Sequence, residues 1–295
     1  MTESDLLALG FERNRTRLRA VAYRMLGSVA EAEDAVQEAW LRLSRSDASS
    51  VENLGAWLTT VVARVCLNVL RSRKARREEP VGVHMPDPVV SRADGPTPED
   101  EALLADSVGL ALQVVLETLT PAERLAFVLH DLFDLPFEDI AAIVDRSPTA
   151  ARQLASRGRR RVREAGVQAV DRDMTVQRKV VDAFFAAAHN RDFDALVAVL
   201  DPEVVARMDG GTAHPEATMV LRGATAVASR AVTIADPDVA KQPVLVNGTA
   251  GVLAIDGEQP IVLLGFTVSR GKIVAIDAFL DPARLEGLSL AVLSD

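Results

Sequence analysis

The sequence predicts a multidomain fold, two all-α blocks followed by an α+β domain, and three observations carry that reading. Residues 11–77 and 102–165 space their apolar residues at helical intervals throughout. Between them, residues 78–101, EEPVGVHMPDPVVSRADGPTPEDE, are rich in Pro, Asp and Glu and read as a linker. After a polar joint near Val167 to Thr175 the texture changes. Helical patterns at Val176–Asn190 and Phe193–Leu200 lead into the strand-like runs VLVNGTAGVLAIDG and PIVLLGFTVSRGKIVAIDAFL, with hairpin signals at Asn247-Gly248, Asp256-Gly257 and Arg270-Gly271.

The composition narrows the class. The chain has 295 residues, 48% apolar and 25% charged, as in ordinary globular protein, while 4% aromatics predict aliphatic cores. One cysteine, Cys66, rules out an intrachain disulfide framework and suits a reducing compartment. The start, MTESDLLALGFERNR, has neither a basic opening nor an apolar signal core, and no apolar run approaches the roughly 20 residues of a membrane helix. The expectation is a cytoplasmic protein with no membrane partner. The histidines His84, His130, His189 and His214 show no metal-ligand spacing, and there is no phosphate-cradling Gly loop, so neither metal nor cofactor is expected.

Net charge is -9, yet Thr149 to Glu164, TAARQLASRGRRRVRE, holds six arginines and one acid, and RSRKARR (Arg71 to Arg77) is a second basic block. Phosphates respond to local charge, because the Debye length is about 8 Å and remote acids are screened. On a helix, Ala151, Leu154, Ala155, Gly158 and Val162 form a packing stripe, while Thr149, Arg152, Gln153, Ser156, Arg160 and Arg163 face away. Ser147 is the expected N-cap and Pro148 the first helical residue. Upstream, FEDIAAIV buries Phe137, Ile140, Ala141 and Val144 and carries Glu138 and Asp139 in its first turn. Helix, short turn, basic helix is a helix-turn-helix pattern, whose second helix enters the major groove.

In the first block, AEAEDAVQEAWLRL (Ala30–Leu43) is amphipathic, with Val36, Trp40 and Leu43 inward and Glu31, Asp34 and Glu38 on an acidic face. In WLTTVVARVCLNVLR (Trp57–Arg71), Leu58, Val61, Val62, Val65 and Val69 form the expected buried stripe and Thr60, Arg64, Asn68 and Arg71 the other side. Cys66 falls near the apolar edge and reads as a packed small residue.

The order AEDAVQEAWLRL, AWLTTVVARVCLNVLR, LTPAERLAFVLHDLFDLPFEDIAAIVDRSPTAARQLASRGRRRV resembles a bacterial RNA polymerase sigma factor of the extracytoplasmic-function class. The likeness covers residues 11–165. It implies region 2 at 1–77 and region 4 at 102–167, joined by the 78–101 linker. It also implies a polymerase-docking set of Asp34, Gln37, Glu38 and Leu41 for the β′ clamp. The opened -10 element would fall to Thr60, Arg64, Asn68 and Arg71, with a base-capture loop within Arg45 to Gly55. The -35 element would fall to Thr149, Arg152, Gln153, Ser156, Arg157 and Arg160. An acidic helix wants a basic partner, and single strands want a basic track.

Residues 176–285 resemble a SnoaL-like domain of the NTF2-like superfold, a curved sheet closed by helices, which a subgroup of these factors carries as a fused regulator. HMPDPVV is similar to that subgroup's Leu-Pro-Glu-Pro motif, with Met85 and Asp87 substituted. MDGG (Met208–Gly211) is similar to its Asp-Gly-Gly-Gly-Lys motif, LVNG (Leu245–Gly248) fits, and DPARL (Asp281–Leu285) is similar to a terminal Asn-Pro-Asp-Lys-Leu motif. The resemblance implies regulation in cis through Met85, Pro86, Asp87, Pro88, Asp209, Gly210, Gly211, Asp281 and Pro282, and allows an unidentified small ligand in the last domain. Two rivals remain at the level of sequence: a helix-turn-helix regulator with a ligand-sensing domain, and an NTF2-like enzyme with Asp277, His189, Asp192, Asp209 or His214 as polar candidates. The docking helix and the linker between two DNA-binding blocks favour the sigma factor, a non-enzymatic reading.

Overall fold

The helical spacing of the first block resolves into three helices in the computed structural model, which describes residues 3–45, 53–76, 85–93, 110–165, 170–171, 173–236, 238–257 and 259–293. These are α1 (Glu3–Leu26), α2 (Val29–Leu43) and α3 (Leu54–Arg76). Gly27, at φ 73°, ends α1 in the left-handed region that glycine adopts freely. Ser28 then caps α2 by accepting the Glu31 N–H. Tyr23 and Met25 from α1, Val36 and Leu43 from α2, and Leu58, Val62, Cys66 and Leu67 from α3 are fully buried together.

The buried side of α3 differs from the expected stripe. Val65 and Val69 are only half-buried, whereas Cys66, Leu67 and Leu70 are core residues. The helix packs on both α1 and α2, so its buried arc is wider and rotated relative to a single-partner stripe. Burial pushes the Cys66 thiol up to about 12, which leaves it an unreactive packed group. The expectation about apolar runs needs amending here too, since Leu54–Ala75 is long and apolar enough to cross a membrane by length and composition. The packing against α1 and α2 gives those apolar residues a different use.

The second block contains α4 (Leu110–Glu117), α5 (Pro121–Phe127), a π-helical turn (Val128–Leu132), α6 (Phe137–Val144) and α7 (Pro148–Glu164). Thr120 and Glu123 form a reciprocal capping box at the start of α5. Asp145 stops α6 at φ 58°, and Ser147 restarts the chain by accepting the Ala150 N–H, with Pro148 at the first helical position. At Gly158 a Cβ would come within 2.9 Å of the Phe127 Cβ, so the missing side chain lets α7 lie close on α5.

The described residues fall into two compact units, one holding 3–76 and 112–165 and the other 85–93, 110–111 and 170–293. The second unit is a seven-stranded sheet with helices α8 (Met174–His189), α9 (Phe193–Val199) and α10 (Ala224–Ile234). In chain order the strands are β1 (Val90–Arg92), β2 (Leu200–Asp209), β3 (Met219–Arg222), β4 (Ala240–Val246), β5 (Thr249–Asp256), β6 (Gln259–Ser269) and β7 (Lys272–Phe279), followed by α11 (Pro282–Leu293). Their order across the sheet is β1-β4-β5-β6-β7-β2-β3, antiparallel except for the parallel pair β2 and β7. Register shifts at Leu200/Val205, Ala254/Ile255 and Thr267/Val268 are bulges, which bend strands. Val181, Phe184, Leu196, Val204, Val227, Phe266 and Ile276 are central to its core.

The three hairpin signals all fall on turns: Asn247 (φ 50°) with Gly248, Gly257, and Arg270 (φ 53°) with Gly271. The linker reading differs from the structure in one respect. Val90–Arg92 is a strand, paired antiparallel to β4 with Val90 opposite Val246 and Arg92 opposite Val244.

Candidate DNA and polymerase interfaces and the linker clamp

Along α7, Thr149, Arg152, Gln153, Ser156, Arg157 and Arg160 are all exposed, while Ala151, Ala155 and Gly158 are buried and Leu154 and Val162 half-buried. The phase of the helix therefore agrees with the sequence. The Arg152 guanidinium stands 5.0 Å from the centroid of the Phe137 ring, so the helix before the turn supports a side chain aimed outward. Arg157 has a second engagement that the sequence does not reveal. Its Nε donates to Glu123 Oε1 at 2.8 Å, and Arg161 Nη1 lies 3.1 Å from Glu123 Oε2. Burial pushes the Glu123 carboxyl up, but the Thr120 hydroxyl, the Arg157 guanidinium, the Thr120 N–H and the Arg161 charge outweigh it, leaving it below the usual range.

On α2, Asp34, Gln37 and Leu41 are exposed and Glu38 is half-buried, with its carboxylate accepting from Arg42 at 2.8 Å. Glu31, expected on the same acidic face, is instead engaged by Arg73, which also donates to the Leu26 carbonyl. One residue of the second basic block thus serves to join α3 to α2. A groove lined by Phe11, Val36, Gln37 and Trp40 adjoins this face.

On α3, Arg64, Asn68 and Arg71 are exposed and Thr60 half-buried, in line along one side. Arg64 Nη2 donates to the Ala142 carbonyl of α6 at 3.2 Å. Two further side chains of the second block reach the first. Gln113 Nε2 donates to the Tyr23 carbonyl at 3.1 Å, and Arg124 Nε to the Arg24 carbonyl at 3.0 Å. Those carbonyls belong to the last turn of α1, where the Tyr23 carbonyl also accepts the Gly27 N–H at 2.8 Å and the helix dipole favours a cation. Arg124 is buried and also pairs with Glu117 at 3.4 Å. Most of the proposed base-capture loop, 46–52, lies outside the described residues.

The regulatory residues named from sequence converge in the second unit. Asp209, 4% exposed at the end of β2, accepts the Met85 N–H at 3.1 Å, the Gly211 N–H at 3.0 Å and Arg284 Nη1 at 2.8 Å. Arg284 Nη2 donates onward to the Met85 carbonyl at 3.0 Å and to Asp87 Oδ1 at 3.1 Å, and its guanidinium stacks 5.0 Å from the Phe279 centroid. Met85, Pro86, Pro88 and Val89 are buried. Asn247 exchanges hydrogen bonds with Val89, its Oδ1 accepting at 2.9 Å and its backbone N–H donating to the Val89 carbonyl at 2.8 Å.

Gly210 and Gly211 pack against the domain's own chain, not against residues 85–89. A Cβ at Gly210 would stand 1.9 Å from the His214 carbonyl oxygen, and one at Gly211, which sits at φ 59°, would stand 1.8 Å from Asp281 Oδ2. Asp281 caps α11 through the Ala283 N–H, and Pro282 is exposed at the first position of that helix. Sequence reasoning missed Arg284 and Asn247 as members of this site. Both lie inside the motif stretches DPARL and LVNG, but nothing in a single sequence pairs them with residues 85–89.

The same unit encloses a cavity of about 330 Å³ between α8, α10 and the sheet, walled by Phe184, Phe185, Val227, Leu264, Phe266 and Ile276 among others. Asp277, one of the acid-base candidates from sequence, is 1% exposed and accepts from Arg207 Nη1 at 3.0 Å. Burial pushes its carboxyl up against the opposing charge of Arg207. Arg207 lines the cavity and Asp277 does not, so the carboxylate serves an ion pair behind the wall. His189 and His214 are exposed, and Asp192 caps α9 by accepting the Ala195 N–H.

Two family models match the chain: Sigma-70 region 2 over residues 11–76, and Sigma-70, region 4 over residues 109–162. The ECF RNA polymerase sigma factor SigJ of Mycobacterium tuberculosis is 38% identical over 292 residues, covering 95% of this chain and 93% of the relative. The chain belongs to the extracytoplasmic-function family of RNA polymerase sigma factors. Probable sigma factor SigI of the same species is 35% identical over 298 residues, 98% of both chains. The crystal structure of Mycobacterium tuberculosis SigJ superposes with a TM-score of 0.77 at 35% identity, covering 95% of this chain and 98% of that one. Sigma factors bind core polymerase and promoter DNA in the cytoplasm, and the family consists of binding proteins, not enzymes. In this sigma factor the two helical regions are followed by a helix-plus-sheet domain, as the change of texture in its sequence predicts.

Proposed function

We propose that this sigma factor docks on the polymerase β′ clamp with Asp34, Gln37, Glu38 and Leu41. It holds the opened -10 element with Thr60, Arg64, Asn68 and Arg71, and reads the -35 element with Thr149, Arg152, Gln153, Ser156 and Arg160. Arg157 contributes charge from its position on Glu123. The exposed faces described above support each assignment. The division into region 2 (1–77), linker (78–101), region 4 (102–167) and a regulatory domain (176–285) belongs to the same reading.

Control in cis runs through the linker. The observation that carries this is the set of Arg284 hydrogen bonds, which join Asp209 of the C-terminal domain to Met85 and Asp87. The two promoter elements are about 25 base pairs apart, roughly 85 Å at about 3.4 Å per base pair. Arg64 on the -10 face is 3.2 Å from a carbonyl of the helix-turn-helix. Regions 2 and 4 must therefore separate to engage both elements, and the chain joining them is the one the domain grips. A domain that holds this linker shifts the balance between arrangements by its differential affinity for them.

The test is run-off transcription with core polymerase at equal saturation, comparing the full chain with a chain ending at Val167. Different promoter-dependent output is expected. Identical output, with no binding of the separate domain to a peptide spanning the linker, would leave the last domain an independent module. Failure of the truncated chain and the full chain alike to bind core polymerase would instead remove the docking assignment.

A further inference from the structure

We infer that the cavity of the C-terminal domain is a binding site for a small amphipathic monocarboxylate, with Arg230 as the anchor of the carboxylate. Helix α10 sets the depth of the site. Val227, Arg230 with Ala231, and Ile234 lie one turn apart on the face of α10 that lines the cavity. Val227 is 3% exposed and Ile234 52% exposed, so the helix runs from the floor of the cavity to its mouth, with Arg230 midway. Below Arg230 the wall is apolar: Phe184, Ala206, Phe266 and Ile276 are buried core residues. A volume of about 330 Å³ is at the lower end of the range for small-molecule sites, roughly 300–1,000 Å³.

The polar groups of the wall set the sign of the ligand. They are His189, Arg207, Arg230, Asp236 and Lys241. Arg207 is balanced by Asp277. Lys241 Nζ donates to the Asp236 and Val239 carbonyls, and the Asp236 carboxylate accepts the Asp238 N–H; His189 and Asp236 are exposed at the surface. Arg230 Nε is different: it is buried and meets no hydrogen-bond acceptor among the described residues. A buried donor on a permanent cation, left without an acceptor, costs free energy that an anionic head group would recover. The apolar floor takes the body of the same molecule. An acceptor above and hydrocarbon below describe a carboxylate with a short aliphatic or alicyclic body.

The test is isothermal titration calorimetry of the full chain with octanoate, 1-octanol and octylamine as probes. Saturable binding of octanoate is expected, about tenfold or more tighter than 1-octanol, with octylamine weakest. Arg230→Met should abolish the octanoate preference while Arg230→Lys keeps part of it. Ala231→Phe, which fills the cavity, should remove binding of both octanoate and octanol. If Arg230→Met does not fold, the octanoate-to-octanol ratio of the wild type and the Ala231→Phe variant decide. No saturable octanoate binding, equal binding of octanoate and octanol, or a preference that survives Arg230→Met would each overturn the inference. None of these outcomes depends on transcription, so they are read separately from the linker-clamp proposal.

Discussion

Arg284 and Asp209 meet at 2.8 Å across the base of the C-terminal domain, and the linker enters their pairing at Met85 and Asp87. Asp209 is buried, so its carboxylate depends on the three donors around it: the Met85 and Gly211 N–H groups and the Arg284 guanidinium. Removing one partner of a buried pair leaves the other charge uncompensated, which typically costs about 3 kcal/mol or more. In Arg284→Ala the linker loses both of its side-chain tethers to α11 at once. The expected outcome is faster limited proteolysis within residues 85–93, with the spectrum of the remaining sheet unchanged. A linker protected as in the wild type would show that strand β1 and Asn247 hold it unaided.

For DNA recognition, Arg152→Ala and Gln153→Ala should each lower affinity for the cognate -35 element by about 1–3 kcal/mol where the contact to a base is bidentate, and relax preference at that position. Arg163, exposed near the end of α7, should act on phosphate alone. Arg163→Ala should weaken binding evenly across sequences and flatten the salt dependence by about one charge. Competition binding against randomised -35 sequences at several salt concentrations distinguishes the two patterns. Retained preference after loss of both Arg152 and Gln153 would remove α7 from base readout.

Charge reversal on α2 separates docking from folding. Asp34 is exposed, and Glu38 makes only a surface pair with Arg42, a type of contact that contributes little to stability. Asp34→Lys with Glu38→Lys should therefore abolish core polymerase binding in a pull-down while leaving the melting temperature close to that of the wild type. Normal core binding by the double variant would place the polymerase contact elsewhere on region 2.

Much of this was legible in the sequence because it is local. The phase of α7, the Ser147-Pro148 start, the stop at Asp145 and the three hairpin turns all follow from residues within a few positions of one another. What escaped is long-range. Strand β1 has three residues, too few for an alternating pattern, and its partner Val244–Val246 lies more than 150 residues away. The β2 strand and α10 were missed as well. The first of these has Pro202 and a register shift interrupting its pattern, and in α10 the alanines, which favour helix, are interleaved with β-branched Thr, Val and Ile, which lower that preference. The buried charges Glu123 and Arg124 look like surface residues in LTPAERL. Only the fold shows that one answers Thr120, Arg157 and Arg161 and the other answers the end of α1.

Glu123 makes region 4 sensitive to acid. Its carboxyl accepts the Thr120 hydroxyl at 2.8 Å and Arg157 Nε at 2.8 Å, with Arg161 at 3.1 Å. Burial opposes the charged form, but these partners outweigh it and hold the folded-state pKa below the ordinary value. A depressed carboxyl stabilises the fold fully above its unfolded pKa, about 4.3, and that contribution disappears as pH falls through the lower, folded value. Glu123→Gln keeps the shape and removes the charge. It should cost about 1–2 kcal/mol at neutral pH, the lower part of the range for a charged hydrogen bond, because both arginines are half-exposed and screened. Denaturant melts of the wild type and the variant should therefore differ at pH 7 and converge as pH falls from about 4.3, the unfolded value, through the lower folded one. The variant should also bind -35 DNA less tightly, since Arg157 keeps only a neutral acceptor there and is held less firmly in its direction on the recognition helix. A stability difference that persists unchanged into acid would mean that the carboxylate charge is not what Thr120, Arg157 and Arg161 recognise.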